Sequence, residues 1–245
     1  NFSIAFQRKA TLKYFHELPN AISITPALHY RNYYSRLHYK DKEITQLIQT
    51  PIQYIIAEAN LAWQPERKKA RKIPVNFQGK LYSLPTKISL TYSYNIPLSN
   101  VERKYQEILL TSQRRIYLTN NIALDLRLTG GKIFGSTNPY LFLTPNMTNS
   151  LVSSIYGFNL LQYGRTTYHK QYIQTFAQLN LALKQIRPTL FLYHKSLYGQ
   201  YLPYHEIGIG VDNIFNTLGV EIIRSFSFEK ETFPGMWGIR VRLKS

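Results

Sequence analysis

The feature that most constrains this chain is a strict alternation of apolar and polar side chains that recurs along nearly its whole length. Successive side chains of a β-strand point to opposite faces, so a period of two predicts strands with one uniformly apolar face. From Thr86 to Ile96, Ile88, Leu90, Tyr92, Tyr94 and Ile96 share a face opposite Lys87, Ser89, Thr91, Ser93 and Asn95. Between Asn121 and Thr129 the apolar set is Ile122, Leu124, Leu126 and Leu128, and between Tyr172 and Leu183 it is Ile173, Ala177, Leu179, Leu181 and Leu183. Ile22, Ile24, Pro26, Leu28 and Tyr30 repeat the pattern near the start. Ile207, Ile209 and Val211 repeat it near the end, as do Trp237, Ile239, Val241 and Leu243. Phe2, Ile4 and Phe6 predict a strand at the N-terminus. Less regular candidates run over Thr11 to Leu18, Ile52 to Trp63, Tyr105 to Leu118, Thr189 to Ser196 and Val220 to Phe228. The template predicts an all-β chain of about twelve strands.

Alternation fits either a soluble sandwich, whose apolar face is the core, or a membrane barrel, whose apolar face meets lipid while the polar face lines the lumen. Three features favour an antiparallel transmembrane β-barrel. The strands are about 9 to 11 residues long, the length of a tilted bilayer crossing rather than the roughly 5 to 6 of ordinary sheets. The polar faces carry Arg31, Glu58, Asp125, Arg127, Glu206, Arg240 and Arg242, which suits a lumen. Tyrosines gather near strand ends, at Tyr30, Tyr33, Tyr34 and Tyr39 and at Tyr198, Tyr201 and Tyr204, where an interfacial girdle would place them. Arg224 breaks the pattern: it falls among Val220, Ile222, Phe226 and Phe228, so either a bulge re-registers this strand or Arg224 lies near an interface.

Composition removes other classes. The absence of cysteine excludes disulfide scaffolds, thiolate metal sites and cysteine nucleophiles. No window reaches the ~18 consecutive apolar residues of a membrane-spanning helix. The net charge is +17, and its densest cluster, Arg67, Lys68, Lys69, Arg71 and Lys72, reads as a solvated loop able to meet lipid phosphate. Short turns are expected at Leu18 to Asn20, Pro97 to Asn100 and Leu118 to Asn120. Longer connections are expected over Asn32 to Pro51, Gln64 to Pro85 and Gly130 to Arg165, with Gly130 and Gly131 as a hinge leaving a strand. No composition break divides the chain, so residues 1–245 read as one barrel domain. The start at Asn1 reads as processed or truncated, with an upstream region missing.

No catalytic constellation, cofactor or metal site is expected. Gly208 and Gly210 are followed by Asn213 where a dinucleotide fingerprint needs a third glycine. Gly130, Gly131 and Lys132 lack the phosphate-loop spacing, and His16, His29, His38, His169, His194 and His205 show no ligand spacing.

Gly130 to Pro145, Phe158 to Leu161 with the aromatic strand through Tyr172 to Leu181, His205 to Phe215, and Trp237 to Arg240 together resemble an uncharacterised outer-membrane barrel family of Bacteroidota. Members of that family commonly carry an upstream carboxypeptidase-regulatory-like domain. The resemblance covers roughly residues 86 to 245. The chain departs from the family at Tyr168 to Tyr172, which lacks an acidic residue before Arg-Tyr. It also ends on Lys244 and Ser245 instead of the terminal aromatic of many bacterial barrels. The resemblance implies a C-terminal barrel in the outer membrane of a Gram-negative bacterium, with no established activity.

The expected function is non-enzymatic: an accessory or structural subunit of an envelope complex for secretion, barrel assembly or transport. Its expected partners are outer-membrane lipids and other outer-membrane or periplasmic proteins, without nucleic acid. About twelve strands leave a lumen that side chains can nearly fill. Arg31, Arg127, Arg240 and Arg242 either favour anions there or pair with Glu58, Asp125 and Glu206 to seal it, and pairing is the expectation for buried charge. An anion-selective channel is the first alternative, and a soluble basic β-domain that binds nucleic acid the second.

Overall fold

The computed structural model describes residues 5–35, 52–67, 72–78, 84–98, 104–135, 170–183, 188–199, 203–215, 218–227 and 235–243. They form twelve strands: β1 (Ala5–Lys13), β2 (His16–Leu18), β3 (Ile22–Ser35), β4 (Ile52–Trp63), β5 (Lys87–Pro97), β6 (Tyr105–Tyr117), β7 (Ile122–Gly135), β8 (Gln171–Ala182), β9 (Thr189–Gly199), β10 (Tyr204–Ile214), β11 (Leu218–Phe226) and β12 (Met236–Leu243). Between them lie three single 3-10 turns, and no α-helix occurs among the described residues. All strands belong to one sheet in the order β1-β3-β4-β5-β6-β7-β8-β9-β10-β11-β12, with β2 also paired to β3 and every pairing antiparallel. β1 and β12 are the two edges, and no described backbone pairing joins them.

Thr11 to Leu18 is not a separate crossing. Lys13 faces Ala27 and His16 faces Ile24 in a single unbroken register, so β2 continues β1 along the same neighbour. The break falls opposite Pro26. Tyr14 N–H donates to the Pro26 carbonyl at 3.0 Å, but Pro26 has no N–H to return, so a pair that would exchange two bonds keeps one. β7 likewise differs from expectation: it runs through Gly130 and Gly131 to Gly135 without a hinge. There the ladder partners are Leu110, Leu109 and Tyr105 on one side, and Ile173 and Tyr172 face the two glycines from the other.

The sheet curls. The Tyr54 and Tyr105 rings, from β4 and β6 with β5 between them, meet edge to face at 5.6 Å. They belong to one buried cluster with Ile133, Tyr172, Leu197 and Tyr204 from β7 to β10. The connections divide between two ends. Residues 36–51, 98–104, 136–170, 200–203 and 227–235 join strands at one end, here the far end. Residues 64–86, 118–121, 183–188 and 215–217 join them at the other, the near end. Long and short connections therefore do not segregate fully, because 64–86 lies with the short turns. Its Phe77 is buried against Ala123, Ala182 and Tyr117, and the Asn76 side-chain amide donates to the Asn121 side chain. Asn76 and Phe77 thus lie against the near end of the enclosed face.

Candidate functional site

Burial divides the two faces in an unusual direction: the polar face is enclosed and the apolar face is open. One cross-strand row on the outer face, given by the registers, is Ile116, Leu124, Leu179, Leu192, Ile209, Ile222 and Ile239, contributed in order by β6 to β12. Every member is aliphatic, yet Leu192 is 49% and Ile209 60% exposed. Further around, Ile24, Leu28, Leu61, Ile88, Leu90 and Tyr92 are exposed in the same way. Both tryptophans of the chain, Trp63 and Trp237, are on this outer face and exposed.

The inner face holds the polar side of the alternation. Asn180, Lys195 and Glu206 are each 0% exposed, and Ser89, Ser93, Asn95, Thr129, Gln174 and Glu221 are buried with them. Buried charge is tolerated only when paired and hydrogen-bonded, and the interior meets that condition repeatedly. Arg115 grips Asp125 through two parallel bonds, Nε to Oδ1 at 2.5 Å and Nη2 to Oδ2 at 2.7 Å, the bidentate geometry that a planar guanidinium allows. Asn180 Nδ2 donates to the same Oδ2 at 3.1 Å, and Asn180 Oδ1 accepts from Gln178 Nε2 at 2.7 Å, so the pair sits in a network spanning β6, β7 and β8. Arg240 pairs with Glu221 between β12 and β11. His29 lies 3.4 Å from Glu58 and 2.9 Å from the Thr11 hydroxyl. The Tyr204 hydroxyl donates to Glu206 at 2.8 Å.

Aromatic rings share this face. Phe191 and Tyr193 stack at 6.1 Å, Phe176 and Tyr193 at 6.3 Å, and Lys195 Nζ lies 4.5 Å from the Tyr193 centroid, within cation–π range. Gly208 and Gly210 explain how these rings fit. A Cβ on Gly208 would come within 2.3 Å of the Tyr193 ring, and one on Gly210 within 2.7 Å of the Phe191 ring. The Gly-Ile-Gly motif is therefore a notch in β10 that receives side chains from β9.

Of the expected charges, Arg31, Glu58, Asp125, Arg127, Glu206 and Arg240 lie on the inner face. Arg242 lies in β12 opposite Gly219, and its side chain is outside the described residues. The partners differ from those expected. Asp125 takes Arg115 rather than an arginine of the predicted set, Arg240 takes Glu221, and Glu58 takes His29. Arg115, Lys195, Glu221 and Glu107, whose carboxylate lies in the fields of Arg31 and Glu58, were not singled out from the sequence. Parity within β6 and β11 places Arg115, Glu107 and Glu221 on the polar face, whereas Lys195 shares its face of β9 with Phe191, Tyr193 and Leu197, so no polar pattern marks it. In the basic cluster, Arg67 closes a 3-10 turn and Lys72 is exposed, while Lys68, Lys69 and Arg71 lie outside the described residues.

The tyrosines divide. Tyr30 and Tyr198 are exposed on the outer face, but Tyr204 is buried inside, because its position in β10 shares the parity of Glu206. The side chains of Tyr33 and Tyr34, and all of Tyr39 and Tyr201, lie outside the described residues. No bulge turns Arg224 inward. The one register shift beside it falls between Val211 and Ile214, so Arg224 stays on the outer face two residues from the end of β11, its guanidinium 5.0 Å from the Trp237 ring centroid. Nearby on the same face, the His205 ring stacks between His194 at 5.4 Å and Phe226 at 5.2 Å.

Among the described residues no three His, Asp or Glu converge as a metal site. No protein-family model matches the chain, and no curated protein matches it. The segments that carry the outer-membrane family resemblance fall partly in 136–169, outside the described residues.

Proposed function

We propose that this chain is a β-barrel of a bacterial outer membrane, with the open aliphatic face against hydrocarbon and a packed, charge-paired interior, and that it serves as an accessory or structural subunit of an envelope complex. The observation that carries the reading is the seven-residue aliphatic row from Ile116 to Ile239 on the open face, backed by an enclosed face of polar and ion-paired side chains. Such an arrangement is unfavourable in water, where it would expose a contiguous apolar surface far larger than soluble monomers carry. In lipid it satisfies both faces.

The contacts on the enclosed face support a non-conducting role: the Arg115–Asp125–Asn180 network, the Phe176–Tyr193–Phe191 stack with Lys195, and Phe77 at the near end project there and bind one another. The family resemblance adds the outer-membrane setting to this reading. The test is purification from native membranes in mild detergent, followed by planar-bilayer recording. The reading expects a reproducible companion protein and a silent bilayer. A chain isolated alone, with conductance that falls in Arg127→Gln and Arg240→Gln, would make it an anion channel instead.

A further inference from the structure

The outer face carries a depression over β7. On β7 the outward position of Gly130 has no side chain, and its cross-strand neighbours are Leu110, Ile173 and, beyond Ile173, Tyr198. The result is a groove of about 610 Å³, walled by those three side chains and by Phe134, with Lys132 on its lining. That volume lies within the roughly 300–1,000 Å³ of pockets that hold small apolar ligands. Its composition is graded along the strand. The floor and walls around Gly130 are apolar, whereas the next row carries Gln171 and, opposite it, Lys132, which lies three residues before the far end of β7 and is exposed with its ammonium 5.2 Å from the Phe134 ring centroid. Lys170, also exposed, precedes β8 at the same end, where its carbonyl accepts from Ile133 N–H at 2.7 Å.

The geometry points to a binding site for one anionic phospholipid, its acyl chain lying in the groove over Gly130 and its phosphate at Lys132 by the far rim. The inference rests on the membrane reading of the outer face. Two observations select a lipid of this kind. The groove opens on the face that carries the aliphatic row, so a chain in it continues the surrounding apolar surface. The cation stands on the far side of Gly130, two residues nearer the strand terminus, so a headgroup at Lys132 places the chain over Gly130 toward the middle of the strand. Gly130 accepts a Cβ: it would meet its nearest atoms, the Tyr172 carbonyl oxygen and Ile173 Cγ1, at 3.6 and 3.8 Å, ordinary contact distances, and a longer side chain from that Cβ would extend over the groove.

The test is native mass spectrometry of the full chain in non-ionic detergent, titrated with dioleoyl phosphatidylglycerol or dioleoyl phosphatidylcholine. The expected result is one retained lipid, with phosphatidylglycerol favoured about fivefold, the effect of roughly one lysine near an anionic headgroup. Gly130→Leu lowers retention of both lipids about tenfold, the equivalent of about 1.4 kcal/mol. Lys132→Gln removes the preference for phosphatidylglycerol while leaving phosphatidylcholine retention unchanged, and it stands as the test if Gly130→Leu fails to fold. Equal retention by all three proteins overturns the site. A dimer of the chain that Gly130→Leu dissolves also overturns it, in favour of a contact between copies. A chain that stays in solution without detergent defeats the membrane reading itself, whereas a detergent-requiring chain indifferent to Gly130→Leu defeats this inference alone.

Discussion

Replacing Asp125 asks whether the interior is packed and dry or filled with water. Arg115 and Asp125 have side chains only 6% and 5% exposed and share two short bonds, with Asn180 as a third partner. Asp125→Leu leaves a guanidinium enclosed without its counter-charge, which costs about 3–5 kcal/mol when water cannot reach it. Arg115→Met strands the carboxylate and costs a similar amount. The double replacement removes both charges together. Such swaps of a buried pair are often neutral or even stabilising, so the remaining loss is that of the Asn180 bond, about 1 kcal/mol. Asn180 keeps its bond from Gln178, which limits that loss. The assay is reversible urea unfolding of the four proteins in micelles or vesicles, read by tryptophan fluorescence and by electrophoretic mobility of the folded form. The account predicts a coupling energy of about 3 kcal/mol or more, with the double variant more stable than either single one. Single losses below about 1 kcal/mol that simply add would refute the reasoning, because they would mean that water replaces the missing partner and that a hydrated passage runs beside β6 and β7.

Two further predictions follow from the same geometry. Gly208→Ala, whose Cβ would lie 2.3 Å from the Tyr193 ring, lowers unfolding stability by about 1–3 kcal/mol, whereas Gly130→Ala changes it by less than about 0.5 kcal/mol; urea midpoints of the two variants check the contrast. Ile209→Arg, in the middle of the aliphatic row between Leu192 and Ile222, costs about 2–4 kcal/mol in vesicles if that row faces hydrocarbon, and within about 0.5 kcal/mol of nothing if it faces water.

Much of the fold is legible in the sequence because period-two alternation is a local signal that needs no knowledge of the neighbouring strand. Ile52 to Trp63 is predicted with the bounds of β4, and the faces of Ile88 to Tyr92 and of Ile207 and Ile209 follow directly from parity. Pairing partners are not local. Asp125 meets Arg115 because β6 and β7 share a register in which residues ten apart in sequence stand opposite, and nothing in the segment Asn121 to Thr129 states that register. Tyr204 is a different case, in which position along the chain and parity point opposite ways. Its closeness to Tyr198 and Tyr201 in sequence suggested a girdle, but its parity with Glu206 turns it inward. Gly130 and Gly131 suggested a hinge, since glycine weakens strands, yet both neighbouring strands hold them in the ladder. Gly208 and Gly210 matched no ligand motif, and their purpose is visible only once β9 is beside them with Phe191 and Tyr193.

Contact between the open aliphatic face and hydrocarbon can be read from quenching of the two tryptophans. Trp63 closes β4 at the near end and Trp237 is the second residue of β12 at the far end, both outward, so they report on the outer face at both ends of the sheet. With the chain reconstituted in vesicles whose acyl chains carry bromine, the account predicts strong quenching of both by the brominated lipid and little by aqueous iodide. Quenching of both by iodide, with none from the brominated chains, would contradict it.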